Sequence, residues 1–491
     1  MDHRRRLPAS AIIKIDPGDI LRILLVNPAR KHIATFGHHS VFPNSLLYIG
    51  AVLEKAGHEV RIYDNQVDLR EPKDFVEWKP QLVGFSVLSG PNIAEAIEQT
   101  KQFKSLLPSV KIVWGNVHAS VLPQQTIAEA FIDYLCVGAG EYCMVELANH
   151  LETGSPAISQ IKGLVWKSDG KIVLNEPSEF IKNLDELPDP AWHLIDVPKY
   201  WEKSLNTSRG CPSKCTFCYS PLFYKGYSGD LSAPRIVSQI EHLHKTYGVK
   251  FVRFFEDTFT CNRDRLREFC RLMIEKKMPV QWDCDSRIGL SDEDIALMSK
   301  AGCVSVGLGI ESGSPRIIKF IKKGITVRAV EETIERLARH KIMPRLYFIA
   351  ELPTETVEEF KETQDLIKRL DKPPYQYMPY MPFPGTVLYD YCVKEGLIKE
   401  PQSLREWAGI ITLRAVNPNY LLISPEMLDK ALDDLRNMYF LRPLRFAMRH
   451  MPLYFTRLKP WPHELLKGIK RFILYFNTRP VAEGKNRGQL R

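Results

Sequence analysis

At 491 residues the chain is long for one domain, and its 44% hydrophobic and 25% charged residues suit a globular protein of two or three domains. No apolar run approaches the roughly 18 residues of a membrane span, and no apolar core follows Arg4, Arg5 and Arg6, which argues against a membrane-spanning or secreted protein. The ten cysteines lack the pattern of a small secreted domain, so we expect a cytoplasmic protein.

A first alternation of strands and helices follows a flexible leader at residues 1–19 and occupies residues 20–155. Strands are predicted at 22–28, 60–64, 81–87, 111–115 and 134–138, with helices at 45–56, 92–107 and 127–131. This alternation implies right-handed crossovers and a doubly wound, Rossmann-like α/β sheet. Ligands of such sheets bind beyond the carboxyl ends of the strands.

Residues 156–200 are predicted to be a connector. Two apolar segments flank Ser168-Asp169-Gly170, which is a hairpin signal, and a Pro-rich stretch at 187–192 leads to a domain boundary near residue 200.

A second alternation over residues 201–390 predicts a (β/α)6 partial TIM barrel. Its strands are expected at 205–208, 251–255, 281–284, 305–309, 345–349 and 376–381, with helices between them. The active site of such a barrel lies at the carboxyl ends of the strands.

One loop of this second domain carries Cys211, Cys215 and Cys218, at spacings of four and three. Three thiolates can hold three irons of a cubane [4Fe-4S] cluster and leave the fourth iron open to a small molecule, whereas electron-transfer clusters use four cysteines. A structural zinc site would need four ligands, usually in two separated pairs. The loop therefore predicts an iron–sulfur enzyme.

This cysteine spacing, with an aromatic residue before the last cysteine, resembles the signature of the radical S-adenosylmethionine (SAM) family. The resemblance implies that the open iron binds the amine and carboxylate of SAM. Polar residues at the later strand ends suit the rest of SAM, with Glu256 or Asp257 for the amine, Ser286 and Arg287 for the carboxylate, Glu311 for the ribose, and Phe217 and Ile349 for the adenine. Each carboxylate alone could equally be a helix cap or a surface ion pair.

The first domain resembles the cobalamin-binding domain that precedes many radical SAM domains, through its loop order, Gly115-x-x-His118 and Gly138-x-Gly140-Glu141. An empty Rossmann-like domain and a nucleotide binder are the alternatives, although the Gly-x-Gly-x-x-Gly fingerprint is missing. The Asp-x-His-x-x-Gly motif is also missing, so we expect no domain histidine on cobalt. The resemblance implies cobalamin contacts from Ser86, Leu88, Gly115, His118, Gly138, Gly140 and Glu141.

Some positions depart from the family pattern. Asn116, Ala350 and Thr354 stand where the family often has glycine.

Together, residues 20–400 resemble the cobalamin-dependent radical SAM group, which includes the anaerobic cyclase of bacteriochlorophyll synthesis and many methyltransferases. The resemblance implies a methyltransferase that acts on an unactivated carbon through a 5′-deoxyadenosyl radical. It also implies a small-molecule or lipid-like substrate and a reductant such as flavodoxin or ferredoxin. The alternatives are a radical cyclase or rearrangement enzyme without methyl transfer, and a non-catalytic iron–sulfur electron-transfer or sensor protein.

Residues 391–491 are predicted to form a mainly helical, basic C-terminal region, with a helix at 425–441. Residues 440–491 hold twelve Lys or Arg and two Glu, whereas the rest of the chain holds 55 basic and 56 acidic residues. Cations interleaved with aromatic residues can lie on an anionic membrane surface, here the inner face, or can pack on the barrel with the cations in water. No nucleic acid is expected as a partner, because no recognised binding module is present.

Overall fold

The computed structural model describes residues 20–28, 40–226, 229–370, 375–410, 412, 413 and 417. The predicted leader at 1–19 and the predicted helix at 425–441, with the remaining basic tail, lie outside the described residues. The chain divides into two compact units, Met1–Leu432 and Asp433–Arg491, and every described residue belongs to the first.

The N-terminal part is built on a seven-stranded sheet. Its strands are β1 (Arg22–Asn27), β2 (Glu59–Asp64), β3 (Leu82–Ser86), β4 (Lys111–Gly115), β5 (Tyr134–Cys136), β6 (Leu164–Ser168) and β7 (Lys171–Leu174). They are arranged in the order β2-β1-β3-β4-β5-β6-β7, and β1 to β5 are parallel. The four central residues of β1 are all buried, as expected for a parallel strand that is covered on both faces.

Helices connect the parallel strands as a doubly wound fold requires. They are α1 (Asn44–Lys55), α2 (Asn92–Leu106), α3 (Val117–Val121), α4 (Pro123–Ile127) and α5 (Gly140–Thr153). The helix predicted at 127–131 is wrong, because α4 already ends at Ile127. Pro123 occupies the first turn of α4, where a missing backbone N–H costs nothing.

The predicted hairpin around Asp169 is present, but it belongs to the first sheet. Strand β6 pairs antiparallel with all three residues of β5, and β7 pairs antiparallel with β6. The sheet therefore includes part of the segment that the sequence indicated as a connector.

The second domain contains an open sheet of six parallel strands. Its strands are β8 (Ser204–Leu205), β11 (Phe251–Phe254), β12 (Gln281–Ser286), β13 (Cys303–Glu311), β14 (Met343–Ala350) and β15 (Tyr375–Pro379), and a small antiparallel pair, β9 (Ser208–Arg209) and β10 (Gly229–Asp230), lies beside it. The order β15-β14-β13-β12-β11-β8 follows the chain without interruption, which confirms the predicted six-stranded parallel arrangement.

The described helices of this domain are α6 (Ser220–Phe223), α7 (Ala233–Tyr247), α8 (Arg263–Glu275), α9 (Asp292–Lys300), α10 (Pro315–Phe320), α11 (Val327–Arg339), α12 (Val357–Arg369), α13 (Val387–Lys394) and α14 (Leu404–Gly409). All of them except α6 and α10 begin at a capping side chain. At α7 and α8, for example, Ser232 and Asn262 accept a hydrogen bond from the third helical N–H. Such caps stabilise a helix by about 1 kcal/mol each. None of the helices in the described residues has the length and hydrophobicity of a membrane-spanning segment.

Alternation along the strands separates core from site. In β14, Leu346, Phe348 and Ala350 are buried, whereas Arg345 and Tyr347 alternate with them and are only partly buried. The polar residues Arg345 and Tyr347 of β14 are thereby placed on one face of the sheet.

Candidate functional site

The three cysteines lie on one loop between β9 and α6. Gly210 directly precedes Cys211 and has φ +81°, and a Cβ at this position would lie 2.0 Å from the carbonyl oxygen of Gly226. Only glycine combines that backbone conformation with so close an approach. The position of Cys211 therefore depends on Gly210, because any other residue at position 210 would displace the loop.

The cysteine thiols influence one another. The pKa of Cys218 is raised to about 12, chiefly by burial and also by the nearby charges of Asp257, Cys215 and Cys211. In the described residues no three His, Cys, Asp or Glu side chains converge as ligands of a single metal ion. A cubane cluster needs a different arrangement, because each of its cysteines binds its own iron.

A cavity of about 400 Å³ opens beside this loop. Six of the seven side chains that the sequence predicted for SAM line it, namely Phe217, Glu256, Asp257, Ser286, Arg287 and Glu311. The seventh, Ile349, does not line this cavity and packs instead against the apolar core cluster that includes residues of the first sheet. The geometry thus gathers the polar candidates and leaves out the predicted aliphatic contact to adenine.

The two neighbouring carboxylates of this cavity already have partners in the protein. Glu256 is fully buried and accepts a hydrogen bond of 2.6 Å from the backbone N–H of Ser208, and burial raises its pKa. Asp257 accepts from the hydroxyl of Ser220 at 2.9 Å and from that of Tyr219 at 3.3 Å. Both side chains therefore hold the segments on either side of the cysteines, besides facing the cavity.

Lys323 is a cavity residue that the sequence analysis missed. Its Nζ lies 2.6 Å from Oε1 of Glu311, both side chains are 10% exposed, and its carbonyl oxygen accepts a hydrogen bond of 2.6 Å from Arg287. Gly309 makes room for this pair, since a Cβ there would lie 2.5 Å from Oε1 of Glu311. Lys323 follows a short helix and not a strand, so the pattern of polar residues at strand ends does not include it.

Tyr347 is a second missed residue. Its hydroxyl donates to Oδ1 of Asp285 at 3.1 Å, and both residues line the cavity. The alternation of β14 was the available signal, because Tyr347 stands between the apolar residues Leu346 and Phe348. With two cations, several carboxylates and hydroxyls around one space, the cavity suits a ligand that carries both an amine and a carboxylate, as SAM does.

A second cavity lies over the carboxyl ends of the strands in the first sheet. Five of the seven predicted cobalamin contacts line it, namely Ser86, Gly115, Gly138, Gly140 and Glu141. It extends between the sheet and the helices α1 and α5, where its walls are Leu25, Val113, Leu46, Ile49 and Met144. Gly140 keeps this space narrow but open, since a Cβ there would lie 3.3 Å from Ile49. A narrow apolar slot with a polar rim fits a planar group, such as the nucleotide tail of a larger cofactor.

Leu88 and His118 do not line this cavity. The backbone N–H of Leu88 donates to Asn92 at 3.0 Å, and its side chain is 37% exposed. His118 is fully buried, its Nδ1 lies 3.0 Å from the hydroxyl of Ser89, and burial lowers its pKa to about 4. His118 is therefore an uncharged residue that packs against Trp407.

The two cavities adjoin each other. Asn206 and Tyr224 line both of them, and Arg209 and Phe223 complete the wall that the second domain contributes to the cavity over the first sheet. A molecule held at Asn206 and Tyr224 would therefore face both spaces at once.

Family models match both domains. The model described as B12 binding domain matches residues 33–148, and the model described as Radical SAM superfamily matches residues 205–367.

Two curated proteins and one solved structure extend the likeness over most of the chain. An uncharacterised methyltransferase of Pyrococcus horikoshii is 31% identical over 77% of this chain and 84% of that protein. The anaerobic magnesium-protoporphyrin IX monomethyl ester cyclase of Cereibacter sphaeroides is 27% identical over 88% of this chain and 72% of that protein. The radical SAM methyltransferase TsrM of Kitasatospora setae, solved with tryptophan and a SAM analogue, has a TM-score of 0.67 at 20% identity, over 85% of this chain and 88% of that one. At this identity the structural match shows a shared fold.

Proposed function

Because this chain belongs to the cobalamin-binding radical SAM enzymes, we propose that it is a methyltransferase that acts on an unactivated carbon of a small-molecule substrate. Membership confirms the predicted family, the order of the two domains and the three cofactors, which are a [4Fe-4S] cluster, SAM and cobalamin. When bound, these cofactors supply the radical and the methyl group, and the protein supplies binding and orientation.

The observation that carries the proposal is the shared wall of the two cavities. Radical formation and methyl donation must reach the same carbon, so the substrate has to lie where the two spaces meet. Asn206 and Tyr224 stand at that place.

The residues of the chain have separate tasks in this proposal. Cys211, Cys215 and Cys218 would hold the cluster, and the loop that carries them would be kept in place by Asp257 through Tyr219 and Ser220. Three further charged residues of the cavity beside the cysteine loop, Arg287, Glu311 and Lys323, would orient the amine and carboxylate of SAM or its ribose.

Product analysis tests the proposal. The protein is purified anaerobically, reconstituted with iron, sulfide and cobalamin, reduced, and incubated with methyl-labelled SAM and candidate extracts. We expect 5′-deoxyadenosine together with S-adenosylhomocysteine, and the label in a new product. The absence of S-adenosylhomocysteine in every extract that yields 5′-deoxyadenosine would contradict methyl transfer.

A cyclase or rearrangement enzyme is the second candidate, and the 27% identity to the anaerobic cyclase over 88% of this chain supports it. It predicts 5′-deoxyadenosine without S-adenosylhomocysteine. The third hypothesis, a non-catalytic electron-transfer or sensor protein, predicts no cleavage of SAM at all, and the enzyme relatives argue against it.

The remaining partners follow from the chemistry and from the basic tail. We infer a low-potential reductant such as flavodoxin or ferredoxin, since the cluster needs one electron for each cleavage of SAM. We also infer a cytoplasmic protein whose C-terminal region contacts the inner face of the membrane, supported by the twelve cations of residues 440–491.

A further inference from the structure

A buried ion pair connects the two domains between the two cavities. The guanidinium of Arg209 donates to the carboxylate of Glu141, and the two side chains are 16% and 5% exposed. Arg209 belongs to β9 and immediately precedes Gly210 and Cys211, whereas Glu141 stands in the first turn of α5. The pair thus connects the start of the cysteine loop to the helix that borders the cavity over the first sheet.

The surroundings hold both partners in place. The guanidinium lies 5.9 Å from the ring centre of Tyr48, and the hydroxyl of Tyr48 donates to the carbonyl oxygen of Asn206 at 3.4 Å. The first turn of a helix, where Glu141 stands, favours a carboxylate electrostatically. Neutral hydrogen bonds add to this junction, since Asn44 of α1 donates to Asn206 at 3.0 Å.

Stability alone does not account for such a pair. Removing two charges from water costs about as much as their attraction returns, and well-packed apolar side chains often stabilise the same position equally well. A guanidinium and a carboxylate differ from an apolar contact in being directional, because their hydrogen bonds fix angle as well as distance. This pair can therefore fix how the cysteine loop is set against the other domain.

We propose that the Arg209–Glu141 ion pair is a positioning device. It fixes the cysteine loop against the cavity over the first sheet, so that the cluster and cobalamin are kept at one separation. The inference rests on the proposed function, since it concerns the arrangement of the same two cofactors. Both residues also line the cavity over the first sheet, and the role proposed for the pair is a positioning one, exerted through the loop and the helix that it joins.

The separation can be measured directly in the full-length protein. Reduced [4Fe-4S] cluster and cob(II)alamin are both paramagnetic, so pulsed electron paramagnetic resonance gives the distribution of distances between them. We expect one narrow distribution in the wild type. Once loaded with iron and cobalamin, Glu141→Gln, which removes the charge, and Arg209→Lys, which keeps the charge but loses the planar fork, should at least double the width of the distribution.

Arg235→Gln is the matched control. Arg235 pairs with Asp189 at 2.8 Å between the barrel and the segment before it, and neither residue lines either cavity. This variant should keep the wild-type distribution.

The outcomes separate this inference from the proposed function. An unchanged distribution in both Glu141→Gln and Arg209→Lys overturns the positioning role, and so does a loss of folding in both, which would make the pair structural. If only Glu141→Gln fails to fold or to bind cobalamin, Arg209→Lys decides. A wild type that binds no cobalamin or no cluster overturns the proposed function, and that result is obtained before any variant is compared.

Discussion

At the scale of single residues, the cysteines carry the clearest expectation. Three ligands leave no spare, so replacing Cys211, Cys215 or Cys218 by Ala should abolish the cluster and the reductive cleavage of SAM. Iron analysis and measurement of 5′-deoxyadenosine check this. Cys261→Ala is the matched control, because Cys261 lies outside the loop and should be neutral for both. Normal iron content with 5′-deoxyadenosine formation in a loop variant would refute the assignment.

The second expectation at this scale concerns His118. The Asp-x-His-x-x-Gly motif is missing and His118 is buried away from the cavity over the first sheet, so we expect no histidine of this domain on cobalt. The cob(II)alamin spectrum should lack nitrogen superhyperfine splitting from histidine, both in the wild type and in His118→Gln. The variant should lose stability, by about 1–3 kcal/mol, because a polar group is displaced from a packed site beside Trp407. Splitting that disappears in His118→Gln would contradict this reading.

How far single residues could be predicted depended on where they stand. The cysteine spacing and the polar strand ends are visible in the sequence, and six of seven SAM candidates do line one cavity. Lys323 was missed because it follows a helix, and Tyr347 was missed because it lies within a strand, where the alternation of β14 is its only signal. Ile349 and Leu88 show the converse, since an apolar residue at a strand end can as easily face the core or solvent as a ligand.

At the scale of elements, the loop before the cysteines depends on Gly210. An alanine there would combine an unfavourable left-handed conformation with a collision against Gly226, so Gly210→Ala should lose most of its iron. Gly248→Ala is the matched control, because Gly248 has φ +68° at the end of α7 and nothing within 4 Å of an added Cβ. It should cost about 1 kcal/mol of stability and keep its iron. Equal iron content in the two variants would show that the collision does not matter.

The turn after β14 gives a prediction on pH. Burial, and to a lesser degree Glu359 and Glu351, raise the pKa of Glu355 to about 8. The folded state therefore holds a proton that the unfolded state releases near pH 4.5, so stability falls as the pH rises from about 4.5 to about 8. Glu355→Gln should raise the midpoint of thermal unfolding by at least about 2 °C at pH 8.5 and little at pH 5. Glu358 is exposed, so Glu358→Gln should change the unfolding midpoint at neither pH. If Glu355→Gln raised the midpoint equally at both pH values, the gain would not come from titration of Glu355.

Two departures from the family pattern are explained by backbone conformation. Asn116 has φ +76° and Thr354 has φ +70°, so both keep the left-handed backbone that glycine would favour. With ψ −164°, Asn116 occupies a backbone region that is almost exclusive to glycine, and its side chain accepts a hydrogen bond from the N–H of Val117 at 2.7 Å. Thr354 is held by two hydrogen bonds from Arg316. A sequence pattern alone could not tell whether the turn itself had changed.

At the scale of the whole molecule, the basic tail carries the remaining prediction. Each cation near an anionic surface contributes on the order of 1 kcal/mol, screened by salt, so three or four of the twelve would suffice for reversible binding. The full chain should sediment with anionic vesicles at low salt and be released at high salt. A chain truncated after Tyr439 should stay in the supernatant and still cleave SAM. If the full chain does not sediment even at low salt, the membrane hypothesis is wrong. If the truncated chain is insoluble, the tail is needed for folding.

The order and class of the two domains could be predicted from the chain, because alternation and motif spacing are local properties. Their junction could not, since Arg209 and Glu141 are 68 residues apart and the motif around Glu141 predicted a cobalamin contact and not an ion pair. Contacts of this kind depend on how two folded domains pack against each other, and the periodicity of the sequence carries no information about that packing.

The hairpin of β6 and β7 determines where the cobalamin domain could be cut from the rest. β5 has three residues, and all three pair with β6. A fragment that stops at residue 155 would leave the backbone groups of β5 unsatisfied at an open border of the sheet, which is a template for aggregation between copies. A fragment that continues to Asn175 retains the cover and adds only twenty residues. The sheet therefore extends past the end of the alternating pattern, and a fragment cut at residue 155 should aggregate more readily than one cut after Asn175.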